Sequence, residues 1–273
     1  MIVDYHMHLR KPESGPVGSY SAAYAEEYVT QGRLAGVDEI GFTEHIFKFR
    51  ESKELWQIEW MRERCTDGLD DYVGAVTEAR SRGLPVKLGL EVDFFPGIER
   101  QLAELLEPYP WDYLLGSVHY VDGFPVDQEP GLVHRIPVGE AWRRYFVWLR
   151  DAARSGLFDC LSHPDLIKFF GMRASDEERQ YLYIETADAI EAAGVCVEVS
   201  TAGLYKPVGE LYPDRELLAA CCERGVPITL ASDAHEPAHV GRDLDKAVAL
   251  AREVGYETVT VFEGRERRQE PLG

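Results

Sequence analysis

Short apolar, β-branched runs alternate with longer amphipathic or Ala/Glu/Arg-rich stretches from one end of this chain to the other. The runs at 2–5, 37–43, 86–93, 113–119, 158–163, 195–200, 226–232 and 258–262 read as strands. The stretches near 20–35, 70–82, 97–107, 140–155, 176–193, 214–224 and 243–254 read as helices. Gly36, Gly83, Gly156, Gly194, Gly225 and Gly255 fall where a helix C-terminal cap would place glycine. Strands joined through helices pair in parallel and bury both faces of the sheet. With this many strand–helix units, closure into an α/β, TIM-like barrel is expected ahead of an open doubly wound sheet. No linker, repeat or low-complexity tract divides the sequence, so residues 1–273 are expected to form one domain.

The size suits that fold, since 273 residues fill one barrel without needing a covalent staple. Hydrophobic residues make up 45%, which argues against disorder despite a net charge of −19. The acidity disfavours nucleic acid as a partner. It does not exclude an anionic ligand, because bound cations can reverse the local sign. Five cysteines, Cys65, Cys160, Cys196, Cys221 and Cys222, form no CxxC motif. They read as reduced thiols, so a cytoplasmic setting is expected. The start MIVDYHMHLR lacks the charge and apolar run of a signal peptide, and no stretch is long enough for a membrane span.

The histidines are placed unevenly. His6 and His8 end the first expected strand, His45 the second, His119 the fourth, His163 the fifth and His235 the seventh. Acids occur at the same places: Asp4, Glu44, Glu91 with Asp93, and Asp233. Parallel barrel strands direct their C-termini to one face, so residues scattered through the chain converge there. Residues i and i+2 of a strand share a face, which points His6 with His8 and Asp233 with His235. Imidazole and carboxylate together suit Zn, Mn or Fe. More than four such ligands suggest two or more divalent ions, a device used for phosphoester hydrolysis. Each piece has a bland reading. SDAH at 232–235 is a passable helix N-cap, HPD at 163–165 a turn, and Glu91 a buried acid with a basic partner. Coincidence of all of them at strand ends favours a metal cluster.

In order, DYHMH at 4–8, TEH at 43–45, GLEVDF at 89–94, GSVHY at 116–120, SHPD at 162–165 and SDAH at 232–235 resemble the PHP (polymerase and histidinol phosphatase) superfamily. Within it, GSVHYVDGFPVD, SHPDLIKFFG, STAGLYKPVGELYP and EPAHVG are most similar to the stand-alone histidinol-phosphate phosphatases. The resemblance implies a distorted (β/α)7-type barrel, in which the strand at 258–262 lies outside the seven-strand count. It implies two or three divalent ions, Zn, Mn or Fe, and cleavage of L-histidinol phosphate. It assigns His6, His8, Glu91 and Asp233 to one ion. Glu91, His119 and His163 go to a second, and His45 and His235 to a third. Relatives complete that third set with a histidine beyond the HxH motif; here Glu13 stands in that region.

No GxSxG or P-loop motif is present, so the nucleophile is expected to be water. His45, Asp233 or a metal-bound water would protonate the leaving oxygen. Lys168, Lys206, Arg10, Arg242 and His239 are the candidates for holding the substrate, and Asp93, Asp122 and Asp127 for meeting its amine. Competing readings are a different PHP-type phosphoesterase acting on phosphotyrosine, nucleotides or general monoesters, an amidohydrolase-type enzyme, and a non-catalytic metal-stabilised domain. No strand-end lysine supports the amidohydrolase.

Overall fold

The computed structural model describes residues 1–11 and 20–273. Seven strands form a parallel sheet whose spatial order follows the chain. They are β1 (Val3–Asp4), β2 (Glu39–Phe42), β3 (Val86–Asp93), β4 (Tyr113–Ser117), β5 (Cys160–Leu161), β6 (Cys196–Ser200) and β7 (Ile228–Ala231). Beyond β1 and β7 the first and last edges meet. Tyr5 N–H donates to Leu230 O at 3.0 Å, His8 N–H to Ala234 O at 2.8 Å, and Met7 forms a parallel bridge with Ala234. The sheet therefore closes into the expected (β/α)7 barrel.

Seven helices wrap it: α1 (Ala22–Leu34), α2 (Leu69–Ser81), α3 (Glu99–Leu106), α4 (Val138–Arg154), α5 (Asp176–Ala193), α6 (Arg215–Glu223) and α7 (Leu244–Val254). Local chemistry starts several of them. Ser21, Ser175 and Asp214 are N-caps whose side chains accept the N–H of Tyr24, Glu178 and Glu216. Helix α4 buries Trp142, Tyr145, Phe146 and Leu149 along one face against the barrel wall. Among the described residues, no helix is long and apolar enough to cross a membrane.

The barrel interior is filled from below by Tyr113. Its hydroxyl donates to Tyr5 O at 2.7 Å. The ring lies over two strand glycines: a Cβ on Gly41 would sit 2.0 Å from the Tyr113 hydroxyl, and one on Gly89 2.7 Å from its ring. Phe262 stacks under the same ring at 5.2 Å between centroids. Phe262 belongs to β8 (Thr258–Glu263), which pairs antiparallel with β9 (Glu266–Pro271). The eighth expected strand thus lies outside the barrel and plugs its N-terminal end, leaving the C-terminal end for chemistry. Strand β9 was not expected, because ERRQEP is almost wholly exposed and carries no apolar alternation.

The two long connections cover the C-terminal end. Residues 46–69 form short 3-10 turns and a helical turn, Glu59–Arg64, that bring Phe47 beside His45 and Trp60 beside Phe47. After His119, a small hairpin pairs Tyr120–Val121 with Phe124–Pro125. All five cysteines are free thiols.

Candidate metal centre

Glu91, in the middle of an eight-residue strand buried along its whole length, is the hub. One carboxylate oxygen, Oε2, lies 2.6 Å from His45 Nδ1, 3.5 Å from His6 Nε2 and 3.9 Å from His8 Nε2. The other, Oε1, lies 3.1 Å from His163 Nε2 and 3.3 Å from His119 Nε2, and accepts the Ser117 hydroxyl at 2.8 Å. Asp233 Oδ1 is 3.2 Å from His8 Nε2 and 3.8 Å from His6 Nε2. His235 is the outermost member, more than half exposed, with its ring 4.2 Å from that of His8. All six strand-end histidines and both expected carboxylates are therefore in one cluster. Glu13 lies outside the described residues.

A further shell of acids orients the rings. His6 Nδ1 faces Glu198 Oε2 at 2.7 Å, and the second oxygen of Glu198 accepts the His163 N–H at 3.2 Å. His119 Nδ1 faces Asp93 Oδ1 at 2.8 Å. His8 Nδ1 lies 3.4 Å from Glu44 Oε1, and the other oxygen of Glu44 accepts the Arg10 N–H at 2.9 Å. For His6 and His119 this places the proton on Nδ1 and leaves Nε2, the atom turned to Glu91, free to ligate. Asp4 works from beneath: it accepts the Ser232 and Gly241 N–H groups, each at 2.8 Å, and so fixes the loop carrying Asp233 and His235.

The electrostatics are those of a cluster built around positive charge. Burial works against ionising Glu91, but His45, His6 and His119 outweigh it and hold the carboxyl well below the usual range. Asp233 is held well below its range too, burial being overcome by His6, His8 and His235. His8 is pushed up to about 9, because Asp233 and Glu44 overcome the burial penalty. His45 falls to about 3, through burial and the charge of His8, so its imidazole is neutral at pH 7.

Two observations fit the cluster to metal ions. His6 Nε2, His45 Nδ1 and Glu91 Oε2 are buried without a hydrogen-bond partner, although His45 and Glu91 approach to 2.6 Å. Buried polar atoms are seldom left so, and lone pairs aimed at a common point suit a cation. Among the described residues, three sets each bring ligand atoms within 4.8 Å of one another: His6, His8 and Asp233; His6, Glu91 and His163; and His8, His45 and His235. Backbone strain falls on the same residues. His163 (φ 23°) and Asp233 (φ 53°) occupy the left-handed region, which costs on the order of 1–3 kcal/mol at a non-glycine position. Such strain persists where the surroundings fix a side chain's aim.

The expected substrate cations are placed more variously. Lys168 is fully buried, 2.9 Å from Asp165, and donates to Leu211 O at 2.7 Å. Arg10 Nε is paired with Asp67 at 2.8 Å, on the side of the cluster next to Glu44. Lys206 is exposed, its Nζ 6.0 Å from the ring centre of Phe169. Arg242 stacks on Tyr205 at 3.3 Å, and His239 sits 3.0 Å from Glu236. Asp122 is tied to Arg144 at 2.6 Å on the surface, whereas Asp93 is buried beside His119. Glu198 went unnoticed in the sequence; an acid inside CVEVS, a strand with every residue buried, was the available signal.

A family model described as PHP domain matches residues 6–202. A probable histidinol-phosphatase of Deinococcus radiodurans is 34% identical to this chain, and the match covers 99% of both proteins. A histidinol-phosphatase of Lactococcus lactis subsp. lactis is 22% identical over 96% of this chain and 94% of its own length. The crystal structure of histidinol phosphate phosphatase from Lactococcus lactis subsp. lactis, complexed with Zn, L-histidinol and phosphate, superposes with a TM-score of 0.76. That match is 21% identical and covers 98% of both chains. The chain belongs to the PHP domain family.

Proposed function

We propose that this PHP-domain protein hydrolyses L-histidinol phosphate to L-histidinol and phosphate, residues 1–273 acting as one catalytic domain in the cytoplasm. The observation that carries the reading is the full-length match to a probable histidinol-phosphatase, joined to a ligand cluster whose orphaned buried atoms call for cations. Two or three divalent ions, Zn, Mn or Fe, complete it. His6, His8, Asp233 and Glu91 would hold one, Glu91 with His163 and His119 a second. His45, His235 and His8 would hold a third, with Glu13 as a further candidate.

When bound, such ions favour hydroxide over water at neutral pH and offset negative charge on the phosphoryl group. The chain supplies the rest. Glu198, Asp93 and Glu44 hold the rings of His6, His119 and His8 in position, so little reorganisation is needed as charge develops. Asp233 and His45, at the edge of the cluster, are the groups to manage the proton passed to the leaving alkoxide. Arg10, Lys206, Arg242 and His239 are the proposed substrate contacts, and Lys168, paired with Asp165, braces the loop after β5.

Phosphate release should be followed with L-histidinol phosphate, p-nitrophenyl phosphate and a nucleoside monophosphate, each with Zn or Mn. A preference of about 100-fold or more in kcat/KM for L-histidinol phosphate is expected, equivalent to ~3 kcal/mol of differential transition-state binding. Equal rates would make the protein a general phosphomonoesterase instead.

A further inference from the structure

The Lys168 ammonium group, fully buried, lies 2.9 Å from Asp165 Oδ2, donates to Leu211 O at 2.7 Å and has Glu210 at 3.7 Å. These acceptors occupy its donors and commit it to the fold rather than to a substrate. Asp165 is equally buried. The oxygen it turns to Lys168 also accepts the Asp214 N–H at 2.7 Å, and its other oxygen has no hydrogen-bond partner. Both charges must be desolvated to form such a pair, and apolar residues in its place are often as stable or more so. Stability alone is therefore a weak reason for it.

What the pair reaches gives the stronger reason. Asp165 and Lys168 stand in the loop after β5, Leu211 and Asp214 in the loop after β6, and the two bonds fall on either side of Tyr212. Tyr212 is buried and exchanges main-chain hydrogen bonds with Ser200 at 3.0 and 2.6 Å. Its ring presses on Gly203, where a Cβ would lie 2.8 Å from it. The same ring meets the His163 ring edge-on, 6.3 Å between centroids. From the other side Leu166, next to Asp165, donates its N–H to His163 O at 3.0 Å. One ion pair thus fastens both the main chain of His163 and the ring that its imidazole packs against. His163 is the residue strained at φ 23°, and its Nε2 lies 3.1 Å from Glu91.

We propose that Asp165 and Lys168 are positioning residues for His163. The pair clamps Tyr212 between the two loops and keeps the left-handed backbone of His163 in place before an ion arrives. Without the pair His163 relaxes, and the ion it shares with Glu91 has to restore its aim, which weakens the binding of that ion. This rests on the reading that His163 is a metal ligand and is independent of which phosphate ester is cleaved.

The test uses the double variant Asp165→Asn with Lys168→Met, which removes the pair without stranding a buried charge. Lys168→Arg keeps the charge and a donor. Arg80→Met is the control: it breaks the ion pair with buried Asp112, 3.0 Å long, which lies on α2 and before β4, away from His163. Two readouts serve: the stepwise affinities for Zn, titrated into stripped protein against a competing chelator, and the Tm of the stripped protein. The double variant should bind one ion about 10- to 100-fold more weakly and the others nearly as the wild type does. Lys168→Arg should recover part of that loss, and Arg80→Met should lower Tm while its Zn affinities stay at wild-type values. A folded double variant with every Zn affinity unchanged would overturn the proposal. So would affinities that fall in parallel for all ions, in the double variant and in Arg80→Met alike, since the pair would then contribute stability only. A wild type that binds no Zn would overturn the metal reading and the proposal with it.

Discussion

Replacing Glu198 by glutamine should weaken the metal centre although Glu198 is itself no expected ligand. Its carboxylate is fully buried and serves two donors, His6 Nδ1–H at 2.7 Å and the His163 N–H at 3.2 Å. Glutamine has the same shape but offers one acceptor oxygen and an NH2 donor. With the amide oxygen toward His163, the NH2 faces His6 Nδ1 and forces that atom to become an acceptor. The proton then moves to Nε2, the atom 3.5 Å from Glu91 that should ligate an ion. With the amide reversed, the NH2 confronts the backbone N–H of His163 instead. Either arrangement leaves a buried donor unmatched and removes one negative charge from the cluster. Outer-shell substitutions of this kind cost about 10- to 100-fold in metal affinity or activity, or ~1.4–2.8 kcal/mol. Titration of the stripped protein with Zn against a competing chelator measures the affinity, and phosphate release measures the activity. Wild-type affinity and turnover in Glu198→Gln would refute the reasoning, because Glu198 would then not control which nitrogen of His6 is free.

Other consequences follow from the same geometry. Glu91→Gln and Asp233→Asn should lose bound metal as well as rate, by more than about 100-fold, while His134→Asn, packed against Phe170 and outside the ligand sets, should keep both. Metal analysis beside kinetics decides this. Glu13→Ala should reduce the occupancy of one ion and spare the others, read by metal content per chain. In the stripped protein, His8 has its pKa raised from 6.5 to about 9, so its contribution to stability is fully present below pH 6.5. That contribution fades as pH rises to 9, and substituting His8 by Asn should flatten this part of a Tm-against-pH curve. An unchanged slope would show that His8 gains no proton on folding.

The barrel was legible because strand–helix alternation fixes parallel pairing, and the strand-end histidines were legible because parallel strands share one exit face. Direction along the chain sufficed for both. Which atoms meet was not legible. Glu198 reads in sequence as an ordinary buried acid until the barrel closes and puts β6 beside His6 and His163. Lys168 reads as a phosphate contact from its place after SHPD, yet Asp165, three residues before it, is the partner it meets in the fold. The β8–β9 hairpin was half legible: TVTVFE alternates, whereas its partner is polar and is held by main-chain pairing and by hydrogen bonds of Gln269 with Thr258 and Thr260. The strained backbone at His163 and Asp233 was not singled out from the sequence, although Asp and His are among the residue types that enter the left-handed region most readily.

The most direct test of the account is turnover of L-histidinol phosphate against metal content. The protein would be stripped by chelation, shown still folded by circular dichroism, and reloaded stepwise with Zn or Mn while released phosphate is followed. The account predicts no turnover in the stripped protein and recovery as the second ion per chain is bound, since Glu91 joins two ligand sets. Full turnover of L-histidinol phosphate by protein shown to be free of metal would contradict it.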